Sequence, residues 1–171
     1  KGNATVQGVT VRAPSSRATP PSHNTDACDV SGTNVLVQNC DISTGDDNFT
    51  CSGGTSDVLI TNNTYGEGHG VSMGSYTSPG VSNLTVINCT FNGTEAGIRI
   101  KSENDRGGLV QNISYFNLSM TNVRMPIVIY GYYPNVATPS RITPYRAATQ
   151  AVETVTSKTP IYRNIVISNV T

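Results

Sequence analysis

The stretch "STGDDNFTCSGG", residues 43–54, sets two acids, Asp46 and Asp47, side by side in a chain that is only 13% charged. Three other polar clusters accompany it: "HNTDA" (23–27), "GEGHGVSMGS" (66–75) and "AGIRIKS" (96–102). Their marked residues are Asp26, His69 and the pair Arg99 and Lys101, so the successive gaps are 20, 22 and 30 residues. Taken singly, each cluster is ordinary. Adjacent acids usually mark a solvated turn, and a lone histidine is more often structural than chemical. Taken in order at this spacing, they form one column if the chain returns to the same face every 20–30 residues. Three clustered carboxylates cannot all ionise easily, so one is expected to hold a proton while the others act as bases. Glycoside hydrolysis uses that division of labour. The two adjacent cations suit a substrate that is itself anionic.

An internal repeat supplies the return. Six segments align: "GNATVQGVTV" (2–11), "TNVLVQNCDI" (33–42), "SDVLITNNTY" (56–65), "SNLTVINCTF" (82–91), "QNISYFNLSM" (111–120) and "RNIVISNVT" (163–171). Their third and fifth positions are mostly aliphatic, as in Val35 and Val37 or Leu84 and Val86, which is the period-2 pattern of a strand with one buried face. The seventh position is Gly8, Asn39, Asn62, Asn88, Asn117 and Asn169, and the apolar alternation resumes beyond it. Asn tolerates the left-handed backbone of a tight corner, and stacked asparagines can bond from coil to coil. The expected fold is therefore all-β, a right-handed parallel β-helix, with Val37, Ile60 and Val86 in its core. Asn63 stands where the pattern calls for an apolar residue, an exception that the repeat leaves unexplained.

The segment starts lie 31, 23, 26, 29 and 52 residues apart. The last interval implies either two coils or one coil with a long insertion. The proline-rich stretch 134–160 is the expected extended loop. Residues 1–171 are expected to form one partial β-helix domain. Both terminal segments look like ordinary coils, whereas solenoids carry atypical caps, so the chain is expected to be a fragment lacking its end caps.

Balanced charge, 11 basic against 11 acidic residues, argues against a nucleic-acid partner. No apolar run approaches the roughly 20 residues of a membrane span, and no signal peptide is visible. Nine N-x-S/T sequons occur, most at the corner asparagine or at the second repeat position, where a ladder explains them better than glycans. Cys40 and Cys89 share a register two coils apart, too far for a disulfide, while Cys28 and Cys51 fall in neighbouring coils, where a bridge is conceivable. No C-x-x-C motif points to zinc. In "RIK" the alternation sends Arg99 and Lys101 outward. Asp46 and Asp47 share a groove only if the backbone bends, which Gly45 permits.

At these clusters the sequence resembles the polygalacturonase family of pectinases, glycoside hydrolase family 28. The family pattern N-T-D, G/Q-D-D, G-H-G and R-I-K stands here as Asn24-Thr25-Asp26, Gly45-Asp46-Asp47, Gly68-His69-Gly70 and Arg99-Ile100-Lys101. The resemblance covers about residues 23–133. It implies an inverting hydrolase of α-1,4-galacturonosyl linkages, with Asp46 as general acid and Asp26 and Asp47 holding the attacking water. It further implies that His69 tunes or orients Asp46, that Asn24 contributes to substrate binding, and that Arg99 and Lys101 grip the galacturonate carboxylate. A tyrosine follows R-I-K in the family; of Tyr130, Tyr132 and Tyr133, Tyr133 aligns best. No metal and no cofactor are implied. The expected partner is a pectic polysaccharide or oligogalacturonide, met by a secreted or periplasmic monomer. The chain departs from the common pattern at Ala27, where glycine is usual, and at Asn48, where many fungal members carry a disulfide cysteine; a glycan on Asn48 would obstruct the cleft. The alternatives are hydrolases of xylogalacturonan or rhamnogalacturonan, a Ca²⁺-dependent β-helical pectate lyase, and a non-catalytic sugar-binding solenoid.

Overall fold

The structure is a computed structural model that describes residues 2–133, 148–149 and 151–171. Its strands wind through three parallel sheets. The first face stacks β1 (Ala4–Gln7), β4 (Thr33–Gln38), β7 (Thr55–Thr61), β10 (Gly80–Ile87), β13 (Leu109–Thr121) and β15 (Ile161–Val170). The second stacks β2 (Thr10–Arg12), β5 (Asp41–Ser43), β8 (Thr64–Tyr65) and β11 (Thr90–Asn92) onto the far half of β13. The third stacks β3 (Asp29–Val30), β6 (Phe49–Cys51), β9 (Val71–Met73), β12 (Ala96–Lys101) and β14 (Met125–Tyr130). All pairings are parallel and join equivalent positions of successive coils, the right-handed β-helix that the repeat predicts. Among the described residues no helix is long and apolar enough to cross a membrane.

The core follows the period-2 pattern. Val35, Val58, Leu84, Ile113 and Ile165 stand level in one inward column, and Val37, Ile60, Val86, Tyr115 and Ile167 in the next. From the second face, Ile42, Tyr65, Phe91 and Met120 form a third column, with the Tyr65 and Phe91 rings 5.0 Å apart. Phe49, Val71 and Ile98 close the core from the third face. Each fully buried aliphatic contributes about 1.5–3 kcal/mol over an exposed one.

The corner asparagines are left-handed, with φ of 54° at Asn39, 56° at Asn62, 56° at Asn88 and 51° at Asn117. Asn117 Nδ2 donates to Asn88 Oδ1 at 3.1 Å, and Asn169 Nδ2 to Asn117 Oδ1 at 2.7 Å. A second left-handed row runs through Asn34, Asp57, Asn83, Asn112 and Asn164. There Asn83 donates to Asp57, Asn112 to Asn83 and Asn164 to Asn112 at 3.0–3.1 Å. The repeat's second position is thus a second bend as well as a ladder.

Asn63 now has a physical account. Its buried amide accepts from Cys40 N–H at 2.8 Å and donates to Val37 C=O at 3.1 Å, satisfying the main chain of the preceding coil beside the Asn39 corner. The conceivable Cys28–Cys51 bridge is absent: all four cysteines are free. Asp29 pairs with Thr50 and Val30 with Cys51, so Cys28 falls two residues out of register with Cys51. Because β15 pairs directly with β13, the 52-residue interval closes within one coil. Most of the loop expected at 134–160 lies outside the described residues; 151–160 carries no strand.

Candidate active site

The third face carries the marked residues. Thr50, Ser72 and Arg99 stand level on its outer surface, with Lys101 one alternation further along β12 beside Tyr130. Asp46 and Asp47 enter β6, His69 enters β9, and Asn24 and Asp26 lie in the loop before β3. The predicted column therefore exists, and both acids of the pair face it.

Glycine is required at position 45 for a different reason from the one expected. Its φ is not left-handed. Instead, a Cβ there would lie 1.7 Å from Ser22 O and 2.8 Å from Pro14 O. The missing side chain lets the loop that carries Asn24 and Asp26 press against the acid pair. Thr25 Oγ1 reinforces the contact by accepting from Gly45 N–H at 2.9 Å.

Asp47 is buried and multiply held. Its Oδ1 accepts from Ser72 Oγ at 2.5 Å and from Arg99 Nη1 at 2.8 Å, and its Oδ2 accepts from Lys101 Nζ at 2.7 Å. A carboxylate offers about four lone-pair sites, so one remains on Oδ2. Arg99 and Lys101, expected to grip substrate, thus already neutralise Asp47. Arg99 and Lys101 together carry one positive charge more than Asp47 neutralises. Lys101 is buried, and Tyr133 covers the cations, its ring centroid 5.2 Å from Lys101 Nζ and 5.9 Å from Arg99. Tyr130 sits behind it at 6.0 Å.

Asp46 faces His69. Asp46 Oδ1 lies 3.0 Å from His69 Nδ1, while Oδ2 accepts from Asn24 N–H at 3.2 Å. It is the main chain of Asn24, not its side chain, that makes this contact. His69 Nε2 lies 3.1 Å from Glu95 Oε2. Both histidine contacts are ion pairs at hydrogen-bond distance whose N–H directions fall short of ideal, so charge holds them more than direction does.

Burial alone would raise Asp46, but the bond and charge of His69, then Lys101, hold its carboxyl well below the usual range. Burial alone would discharge His69, yet its contacts to Asp46 and Glu95 outweigh this and the repulsion of Arg99, lifting it to about 9. Asp26 stands at the exposed rim, where partial loss of water and then the charges of Asp46 and Asp47 push it up to about 6. One carboxyl is raised, as expected, but it is Asp26, assigned to water, and not Asp46, assigned as acid. The histidine beside Asp46 accounts for the reversal.

Asp46, Asp47 and His69 lie close enough together to share a cation. Their chemistry disfavours one: Asp47 has three donors on it, and His69 is held protonated, which removes its lone pair.

Three site residues escaped sequence reasoning. Ser72 was legible, since alternation around Val71 and Met73 turns it outward. Glu95 falls 26 residues after His69, one repeat further on. Asn48, despite its sequon, is fully buried. Its amide donates to Ile42 O and Glu67 O and accepts from Gly70 N–H, filling the space that Gly68 leaves. This side chain has no room for a glycan.

The model of glycosyl hydrolases family 28 matches residues 2–171. A probable polygalacturonase of Arabidopsis thaliana is 38% identical over 134 residues, covering 75% of this chain and 28% of that protein. A polygalacturonase of Ralstonia solanacearum is 41% identical over 121 residues, covering 66% of this chain and 23% of its own length. The solved polygalacturonase from Erwinia carotovora ssp. carotovora superposes with a TM-score of 0.68 at 36% identity, over 75% of this chain and 35% of its own. The chain thus spans well under half the length of these relatives. With the family model matched from end to end of the solenoid, the chain belongs to glycosyl hydrolases family 28.

Proposed function

We propose that this chain carries the catalytic centre of a pectin-degrading hydrolase that cleaves α-1,4-galacturonosyl linkages with inversion. The observation that carries the reading is the unequal state of the three carboxylates. Asp46 Oδ1 meets His69 Nδ1 at 3.0 Å, Asp47 is fixed by two cations, and Asp26 stands at the exposed rim with its carboxyl raised by partial burial and by the charges of Asp46 and Asp47. The similarity to polygalacturonases supports the substrate class.

In this reading Arg99, Lys101 and Tyr133 hold the galacturonate unit by its carboxylate and ring. Asp26 and the remaining lone pair of Asp47 hold a water against the anomeric carbon. As the water oxygen bonds to that carbon, the glycosidic C–O bond breaks. Asp46 delivers the pair's proton to the leaving oxygen, and the water's proton passes to Asp26, leaving Asp46 ionised and His69 neutral. Asp47 is a poor nucleophile because Ser72, Arg99 and Lys101 occupy its oxygens, which favours attack by water. Pectic polymer is extracellular, so we place the enzyme outside the cytoplasm, secreted or periplasmic, acting as a monomer.

Defined oligogalacturonides incubated in EDTA test the reading. The expected result is new reducing ends without an unsaturated chromophore. An ultraviolet-absorbing product that vanishes with EDTA would assign a lyase, and no cleavage by the full-length protein would leave a binding solenoid.

A further inference from the structure

His69 is held from both sides by different coils. Asp46, one coil before it, meets Nδ1 at 3.0 Å; Glu95, one coil after it, meets Nε2 at 3.1 Å. Glu95 is itself anchored to the same turn, since its N–H donates to Gly68 O at 2.7 Å and its carbonyl accepts from Met125 N–H at 2.9 Å. The residue that faces the far side of the imidazole is thus tied by its backbone to the residue just before His69.

We propose that Glu95 is a positioning residue of this centre: it keeps both ring nitrogens of His69 protonated and Nδ1 against Asp46, so that the Asp46–His69 pair stores the proton destined for the leaving oxygen. A neutral imidazole has one N–H and one lone pair. Between two carboxylates, that lone pair would face a negative oxygen, whereas imidazolium serves both. Without Glu95, Nε2 would have no carboxylate to hold its proton, and the pair would release its stored proton at lower pH.

The other charged groups around the ring do not replace Glu95. Asp47 Oδ1 lies 4.0 Å from Nδ1, further than Asp46, and is already neutralised by Arg99 and Lys101. Arg99 opposes protonation of His69. Lys101 lowers Asp46, and Asp46 in turn raises Asp26. Delivery of the proton to the leaving oxygen rests on the hydrolase reading; the hold of Glu95 on His69 does not.

The test uses the full-length enzyme and reads the imidazole signals of His69 by NMR, assigned by their absence from His69→Gln. Glu95→Gln keeps size and polarity but removes the charge. It should bring the His69 titration midpoint down by about 1–2 pH units and move the basic limb of kcat/KM by the same amount, with KM at neutral pH changed by less than about threefold. Glu95→Asp, which restores the charge at shorter reach, should recover part of the shift. A midpoint that stays put in folded Glu95→Gln overturns the proposal, as does a midpoint that falls while the basic limb of kcat/KM does not move. A wild-type enzyme that releases no reducing ends defeats the hydrolase reading alone, because the imidazole midpoints are measured without substrate.

Discussion

Lys101 Nζ lies 2.7 Å from Asp47 Oδ2, a contact between residues 54 positions apart in the chain. The lysine therefore has two partners to serve, the buried acid and an incoming carboxylate. Its removal should act on both. Lys101→Ala is expected to raise KM for demethylated oligogalacturonide by roughly 10- to 100-fold, the worth of a charge-assisted bond of about 1.5–3 kcal/mol. Methyl-esterified substrate should suffer less in KM but share any fall in kcat, since Asp47 loses a partner in either case. Steady-state kinetics on the two substrates separates the roles, and equal KM losses would make the lysine purely structural.

Asp46→Asn should lower kcat by about 10²- to 10⁴-fold, the usual worth of a positioned proton donor, with little change in binding. The amide keeps the shape and the contact with Asn24 N–H but cannot deliver a proton. Turnover measured beside equilibrium binding checks this; a KM effect as large as the kcat effect would assign Asp46 to substrate positioning.

The pH dependence follows from two groups. Asp26 must be ionised to take a proton from water, so activity should fall as pH drops through its raised value of about 6. The Asp46–His69 pair must hold its proton, so activity should fall as pH rises through the His69 value of about 9. The resulting bell in kcat/KM has its acid limb above that of an ordinary carboxylate. Asp26→Asn should remove the acid limb along with most of the rate. An acid limb near 4 in the wild type would place Asp26 outside the proton-accepting role.

Asn63→Leu tests the packing account. The leucine restores the apolar pattern but orphans the Cys40 N–H and the Val37 C=O, which Asn63 now satisfies. A loss of about 2–6 kcal/mol in urea unfolding is expected, at roughly 1–3 kcal/mol per buried orphan. Unchanged or higher stability would mean that these groups find other partners.

Much of the fold was legible because a solenoid repeats its physics. Each coil must place aliphatics inward and a left-handed residue at the corner, and Val37, Ile60 and Val86 with Asn39, Asn62 and Asn88 write that rule three times. The site's column was legible for the same reason. What escaped was set by single contacts between coils. Asn63 breaks the pattern because it serves the main chain of the coil before it. Glu95 carries no motif of its own, and its meaning comes from His69 one coil earlier. The inversion of carboxylate states, with Asp26 raised and Asp46 lowered, depends on which acid stands beside the imidazole, and residue spacing does not encode that distance. The glycine at position 45 answers the close approach of Ser22 rather than a need for backbone freedom, and that contact too is set between coils.

The stereochemistry of the product tests the central claim most directly. If Asp26 and Asp47 hold the attacking water while Asp46 protonates the leaving oxygen, the anomeric carbon inverts in a single displacement. Proton NMR of the first product formed from an α-linked oligogalacturonide, recorded before mutarotation, should show the β-anomer. Early α-anomer would require a covalent intermediate on one of these acids and would contradict the water-holding roles of Asp26 and Asp47.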